Sequence, residues 1–252
     1  MVKLLKEGLA KARVAKRFWI CAAILVALSL LYVLLINWEG TNGMDDKIGA
    51  EAALFCMLGN QPLFMAIVPA MFLVRDFTQN TVRNKIICGY SRSSIYIAHT
   101  IVFALVALFY HFVSMASALA FGIPILGFGE LASGYVAVYF GYSLLLILAY
   151  AALTMFICML MRGVSGVIMA YVINSLLSTF AVIAVLVVKN DDIVKLMNCA
   201  ILDMQATAIF SGMAEGELPS KTEMVLMPVC SLSYIIGLPI VGIHIFKKAD
   251  LK

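Results

Sequence analysis

Long stretches without a charged side chain alternate with short polar ones along this chain. The uncharged runs occupy roughly 18–38, 52–74, 100–129, 131–161, 163–188 and 224–246. Most match or exceed the ~20 residues with which a helix crosses a ~30 Å hydrocarbon core. The pattern predicts an all-α integral membrane protein of one domain, residues 1–252, with six transmembrane helices at about 18–37, 52–74, 97–121, 135–161, 164–188 and 224–246. The first run is too long for a signal-peptide core, and no small-x-small cleavage site follows "LLYVLLINWEG".

The polar intervals have periodicities of their own. Residues 1–17 place Val2, Leu5, Leu9 and Ala12 at helical spacing among lysines and arginines, which predicts an interfacial helix leading into the first span. Residues 189–223 are too long for a simple connection. Within them Ile193, Leu196, Met197, Ala200, Ile201, Met204, Ala208 and Ile209 form one apolar stripe. It predicts a helix, or a broken helical pair, lying in the interface or dipping back toward the bundle. The glycine-rich "GIPILGFGELASG", 122–134, reads as a membrane-hugging loop or a shallow re-entrant turn. Residues 75–96 hold a helix-compatible stretch from Asp76 to Ile87. Phe77, Val82 and Ile86 can share a face there, Gly89 is a natural stop, and Ser91 or Ser93 a natural N-cap for the next helix.

Composition strengthens the membrane reading. Hydrophobic residues make up 63% and charged residues 13%, where soluble domains average roughly 45–50% and about 25%. Charge placement sets the expected orientation. With the N-terminus inside, the inner segments hold Lys3, Lys6, Lys11, Arg13, Lys16, Arg17, Arg75, Arg83, Lys85, Arg92, Arg162, Lys247, Lys248 and Lys252. Only Lys47, Lys189, Lys195 and Lys221 remain outside. The positive-inside rule therefore predicts a multi-pass protein of the plasma or inner membrane with both termini cytoplasmic, and 75–96 as a cytoplasmic loop. The six cysteines include no C-x-x-C pair, so neither a disulfide framework nor a metal site is expected.

The spans carry little chemistry. No Asp, Glu, Lys or Arg lies deep in any run, and His111 is the one deep titratable group expected. Asn60 and Gln61 before Pro62, and Asn174 with Ser178 one turn on, are the polar positions that stand out. Pro62 and Pro69 are expected to bend the second span. "GVSG", 163–166, with His244 resembles the serine–histidine pair of rhomboid intramembrane proteases. Here, however, Ser165 opens its span beside Arg162, at the end opposite to that family's cavity. Helix capping and close packing explain it better.

"DFTQNTVRNKIICGYSRSSIYIAHTIV", 76–102, resembles the cytoplasmic loop of type-2 ATP-binding-cassette exporter permeases. The likeness rests on Asp76, Thr81-Val82-Arg83, Gly89, Ser91-Arg92 and Ile95-Tyr96, with Asn84 and Lys85 inside the same stretch. The six-span plan agrees over the whole chain. One departure is Asn80, where that family usually has Gly; asparagine can still adopt a left-handed conformation.

The resemblance implies a coupling helix seated in a groove of a separate ATPase subunit, with two permeases, as homodimer or related heterodimer, and two ATPases per transporter. The chain has no G-x-x-x-x-G-K-[ST], so ATP and Mg²⁺ would be bound by the partner. The chain itself is expected to be no enzyme and to bind no cofactor, with membrane lipid and no nucleic acid among its partners. The substrate path would run along spans two and five, bringing Asn60, Gln61, Asn174, Ser178 and His111 forward. Fifteen Met and fifteen Phe suit adaptable contact with hydrophobic or amphipathic cargo, amphipathic peptides first. The competing expectation is an ATP-independent channel or secondary transporter.

Overall fold

The computed structural model describes residues 1–41, 49–128, 133–161, 164–188, 191–216 and 218–248, and among them every regular element is helical. In chain order these are α1 (Val2–Val14), α2 (Lys16–Thr41), α3 (Ala50–Ala53), a 3₁₀ turn (Leu58–Asn60), α4 (Gln61–Thr78) and α5 (Thr81–Ile87). There follow α6 (Arg92–Leu126), α7 (Ser133–Met161), α8 (Val164–Val188), α9 (Asp191–Ala200), α10 (Leu202–Glu215) and α11 (Lys221–Lys248). Five of them, α2, α6, α7, α8 and α11, are long and apolar enough to cross a membrane. The pair α9–α10, bent by 108°, reaches that length and apolarity only when taken together. The chain is an all-α, multi-pass membrane protein.

The centre of the bundle is α7. No residue from Leu146 to Met155 is exposed, as expected for a helix that is apolar all round and enclosed by neighbours. It packs against α4, α6, α8, α10 and α11. Along α2, Phe18, Cys21, Ala22, Leu25, Ser29, Val33 and Ile36 are buried at three- and four-residue steps. That stripe lies on α6, where Phe18 stacks on Phe109 with ring centroids 4.9 Å apart. By contrast α8 and α11 turn most of their apolar side chains outward, Phe180, Leu186, Val225 and Ile236 among them. Such a surface suits hydrocarbon and not water.

Four expectations are corrected. The run 52–74 is not one continuous span: α3, a turn and the 3₁₀ segment occupy 50–60 before α4 begins at Gln61. Nor does Pro62 bend a helix. It stands in the first turn of α4, where a proline's missing N–H is one that a helix start leaves free anyway.

In α1 the residues turned to the bundle are Leu4, Gly8 and Ala12, while Val2 and Leu9 are exposed. Gly8 sets this phase, because a Cβ there would come within 2.7 Å of Val102 Cγ2 on α6. The stripe across 193–209 is also interrupted. The bend at Ile201 resets the helical phase, so Ile193 and Leu196 are exposed while α10 buries Leu202, Gln205, Ala206, Ile209 and Met213.

In the glycine-rich stretch, α6 continues to Leu126. Gly127 turns with φ 77°, and its carbonyl accepts from Ala50 N at 3.1 Å, tying α3 to the end of α6. Residues 129–132 of that stretch lie outside the described residues.

Candidate functional site

Two polar constellations stand out, one at the end of the bundle that holds α1 and one inside it. The first is built on the turn between α4 and α6. Asn80, φ 53° and ψ 19°, is left-handed, a conformation asparagine tolerates better than most residues. It ends α4 and starts α5, so the helix expected over 76–87 is two pieces. Gly89 (φ 90°) then reverses the chain. Ser91 caps α6, its Oγ accepting from Ser94 N at 3.2 Å.

The seven-residue α5 turns Val82 inward, onto a cluster with Leu4, Ile95, Tyr96 and Phe246. Its other side carries Arg83, Asn84 and Cys88, all exposed, and Ile87, 74% exposed. Thr81 is half-buried, and Gly89 and Ser91 are exposed. Arg92 donates from Nη1 to the Lys247 carbonyl at 3.0 Å, joining the turn to the end of α11.

Asp76 and Lys85 belong to the support of α5 and not to its outer face. Asp76 is buried and accepts from Lys11 Nζ at 2.8 Å and from Lys85 Nζ at 3.1 Å. His99 Nε2 is 3.6 Å away. Glu7 completes the group, 2.7 Å from Lys11 and 3.3 Å from Lys85. Burial pushes the Asp76 carboxyl upward, but Lys11, Lys85 and His99 outweigh it and hold it below its ordinary value. These five residues link α1, α4, α5 and α6. Pairing Asp76 with a lysine of α1, 65 positions earlier, left no trace in local sequence.

The second constellation lies among α4, α6, α7, α8 and α10. Gln61 donates through Nε2 to Ser114 Oγ at 2.8 Å and lies 3.0 Å from His111 Nδ1. His111 Nε2 is in turn 3.0 Å from Ser143 Oγ. Two turns further along α7, Tyr150 donates its hydroxyl to Asp203 Oδ1 on α10. Asn174 Nδ2 donates to the same oxygen at 2.7 Å. Asn174 is 14 residues before Val188, about 21 Å along α8, so α10 begins deep beside it.

Close by, Gln205 bridges α10 to α11, donating to the Cys199 carbonyl and accepting from Ser231 Oγ at 2.9 Å. Tyr234 hydroxyl donates to the Ala200 carbonyl at 3.2 Å. Backbone groups opened by the bend at 200–202 thus find side-chain partners, as non-helical backbone away from water requires.

Gln61 and His111 are therefore brought together, and Asn174 joins a separate cluster. Asn60 is apart from both, donating to Tyr32 hydroxyl at 2.9 Å. Ser178 lies one turn beyond Asn174, half-buried. Asp203 is the residue that sequence reading missed. It belongs to the segment read as external, yet the bent α9–α10 pair carries it to Tyr150 and Asn174, so a carboxylate does reach the interior of the bundle. Ser165 and His244 are both exposed, and no hydrogen bond joins them. No protein-family model matches the chain, and no curated protein is significantly similar to it.

Proposed function

We propose that this chain is the membrane subunit of an ATP-driven exporter, working with a separate ATPase that docks on α5. The observation that carries the reading is α5 itself: a short helix, bounded by a left-handed Asn80 and by Gly89, offers Arg83, Asn84 and Ile87 outward while an ion cluster fixes its base to three other helices. A lever needs both properties, a free face to be pushed and a stiff attachment to what it moves. In this reading α4 with the segment before it is the second of six crossings. The termini and α5 are cytoplasmic, and the chain pairs with a second copy or a close relative. ATP and Mg²⁺ belong to the ATPase.

Hydrophobic or amphipathic cargo, peptides before other classes, suits the interior. The deep polar groups number few, and Asp203 is already bonded to Tyr150 and Asn174. The test is charge reversal on the exposed face. Arg83→Glu should abolish cargo-stimulated ATP hydrolysis by the assembled transporter while the chain still inserts and melts normally, since Arg83 is exposed. Reversing a charge at a docked contact costs about 2–5 kcal/mol. Undiminished transport and ATPase binding in Arg83→Glu would refute docking through α5.

A further inference from the structure

Between α1 and α4 lies a recess of about 500 Å³ that the exporter reading leaves unexplained. One wall is Ala10, Val14 and Ala15, where α1 turns into α2; the other is Arg75 and Gln79 of α4, with Lys11 and Asp76 between them. Val14 is 81% exposed at its mouth. Trp19, exposed and donating to the Arg13 carbonyl at 2.9 Å, stands one turn away, and tryptophan in that setting marks the headgroup level of a bilayer.

Lys11, Arg75 and Lys85 are positive, Glu7 and Asp76 negative, which leaves one positive charge, and His99 faces the same cluster. The two lysines are taken up by the two carboxylates. Arg75 has no such partner among the described residues, and its guanidinium is exposed at the rim. A fork of N–H donors with one uncompensated charge, above a small apolar slot, matches a singly charged phosphodiester with an acyl chain.

From this we infer that the recess binds one anionic phospholipid of the leaflet that holds α1, with Arg75 on its phosphate and Ala10, Val14 and Ala15 against its glycerol and upper acyl carbons. The site is independent of any ATPase. Because Lys11 lines both the recess and the ion cluster, an occupied recess would add to the attachment of α1 beside α5.

Native mass spectrometry of the full chain in detergent, titrated with phosphatidylglycerol or phosphatidylcholine, tests the assignment. One tightly held phosphatidylglycerol per chain is expected, and Arg75→Gln should lower its occupancy about tenfold. Arg13→Gln removes an equal charge from exposed α1 outside the recess and should leave that occupancy unchanged. Equal losses in both variants would reduce the effect to general attraction between basic residues and lipid and overturn the site. Equal retention of phosphatidylcholine would do so too. Displacement of the lipid by millimolar inorganic phosphate would show that the recess selects a free anion and overturn the lipid assignment.

Discussion

The Tyr96 hydroxyl occupies the space that a side chain at position 242 would need, and it finds no hydrogen-bond partner among the described residues. Gly242 is thus what lets α11 lie against the start of α6. Gly242→Ala should cost about 1–3 kcal/mol, the usual range for overpacking. Tyr96→Phe, which removes a buried orphan hydroxyl, should be neutral or stabilising. The double variant should recover most of the loss, because both changes act on one contact. Melting in detergent decides, and a Gly242→Ala protein as stable as the parent would contradict the close packing.

The ion cluster makes a prediction in pH. Asp76 and Glu7 have lowered carboxyl values. For Glu7, burial acts upward, and Lys11 and Lys85 outweigh it. A carboxyl depressed by folding contributes stability above its unfolded value, about 3.9 for Asp and 4.3 for Glu, and loses it as pH falls through the folded value. Lys11 is raised: burial opposes this, but Asp76 and Glu7 prevail. Its contribution therefore persists at neutral pH and is lost only as pH rises through that raised value, above about 10.4. The part of stability that Asp76, Glu7 and Lys11 contribute should be level from about pH 5 to pH 10 and fall on either side. In Asp76→Asn the acid-side fall should shrink. An Asp76→Asn variant with the parent's full acid sensitivity would remove the cluster from this role.

Among the elements, α9 and α10 carry the largest consequence. Their 108° bend is held by side chains from α7, α8 and α11, and the Asp203–Asn174 contact is the link to α8. Interhelical hydrogen bonds in membranes are worth about 0.6–2 kcal/mol. A double-mutant cycle of Asn174→Leu and Asp203→Leu should return a coupling of that size in thermal stability, and strictly additive losses would contradict the link.

Elements differed in how plainly the sequence announced them. Runs such as 163–188 are uniformly apolar, and α2, α6, α7, α8 and α11 follow from that alone. The segment 52–74 is equally uncharged, but Gly59-Asn60 and Pro62 favour a fresh helix start over continuation, which a window of hydropathy averages away. Asn80 was readable as a left-handed break, because few residue types other than glycine tolerate one. Asp203 was not readable, because its depth depends on where a bend 108° wide carries it. Nor was Asp76's burial, which needs lysines from two other helices.

For the molecule as a whole, the proposed exporter joins a basic end and an apolar bundle to an ATPase on another chain. Six cysteines are present, and Cys88, at the end of α5, is the exposed one among them, so the face proposed to meet the ATPase already carries a reactive handle. Five helices can cross a membrane and the bent pair could make a sixth. In the proposed exporter α4 crosses instead and α9–α10 re-enters from the far side, which puts α5 and both termini together in the cytoplasm. The positions that would sense the motor are then Arg83, Asn84 and Ile87, and the positions that would transmit its push are Asp76, Lys85 and Arg92.

Photo-crosslinking from a benzophenone residue in place of Ile87, in the cells that naturally make the protein, addresses the docking most directly. Peptide mass spectrometry of the adduct should identify one soluble chain bearing G-x-x-x-x-G-K-[ST], and the adduct should disappear when Arg83→Glu is added. Adducts only to lipid, or to a chain without that phosphate-binding loop, would contradict an ATPase seated on α5.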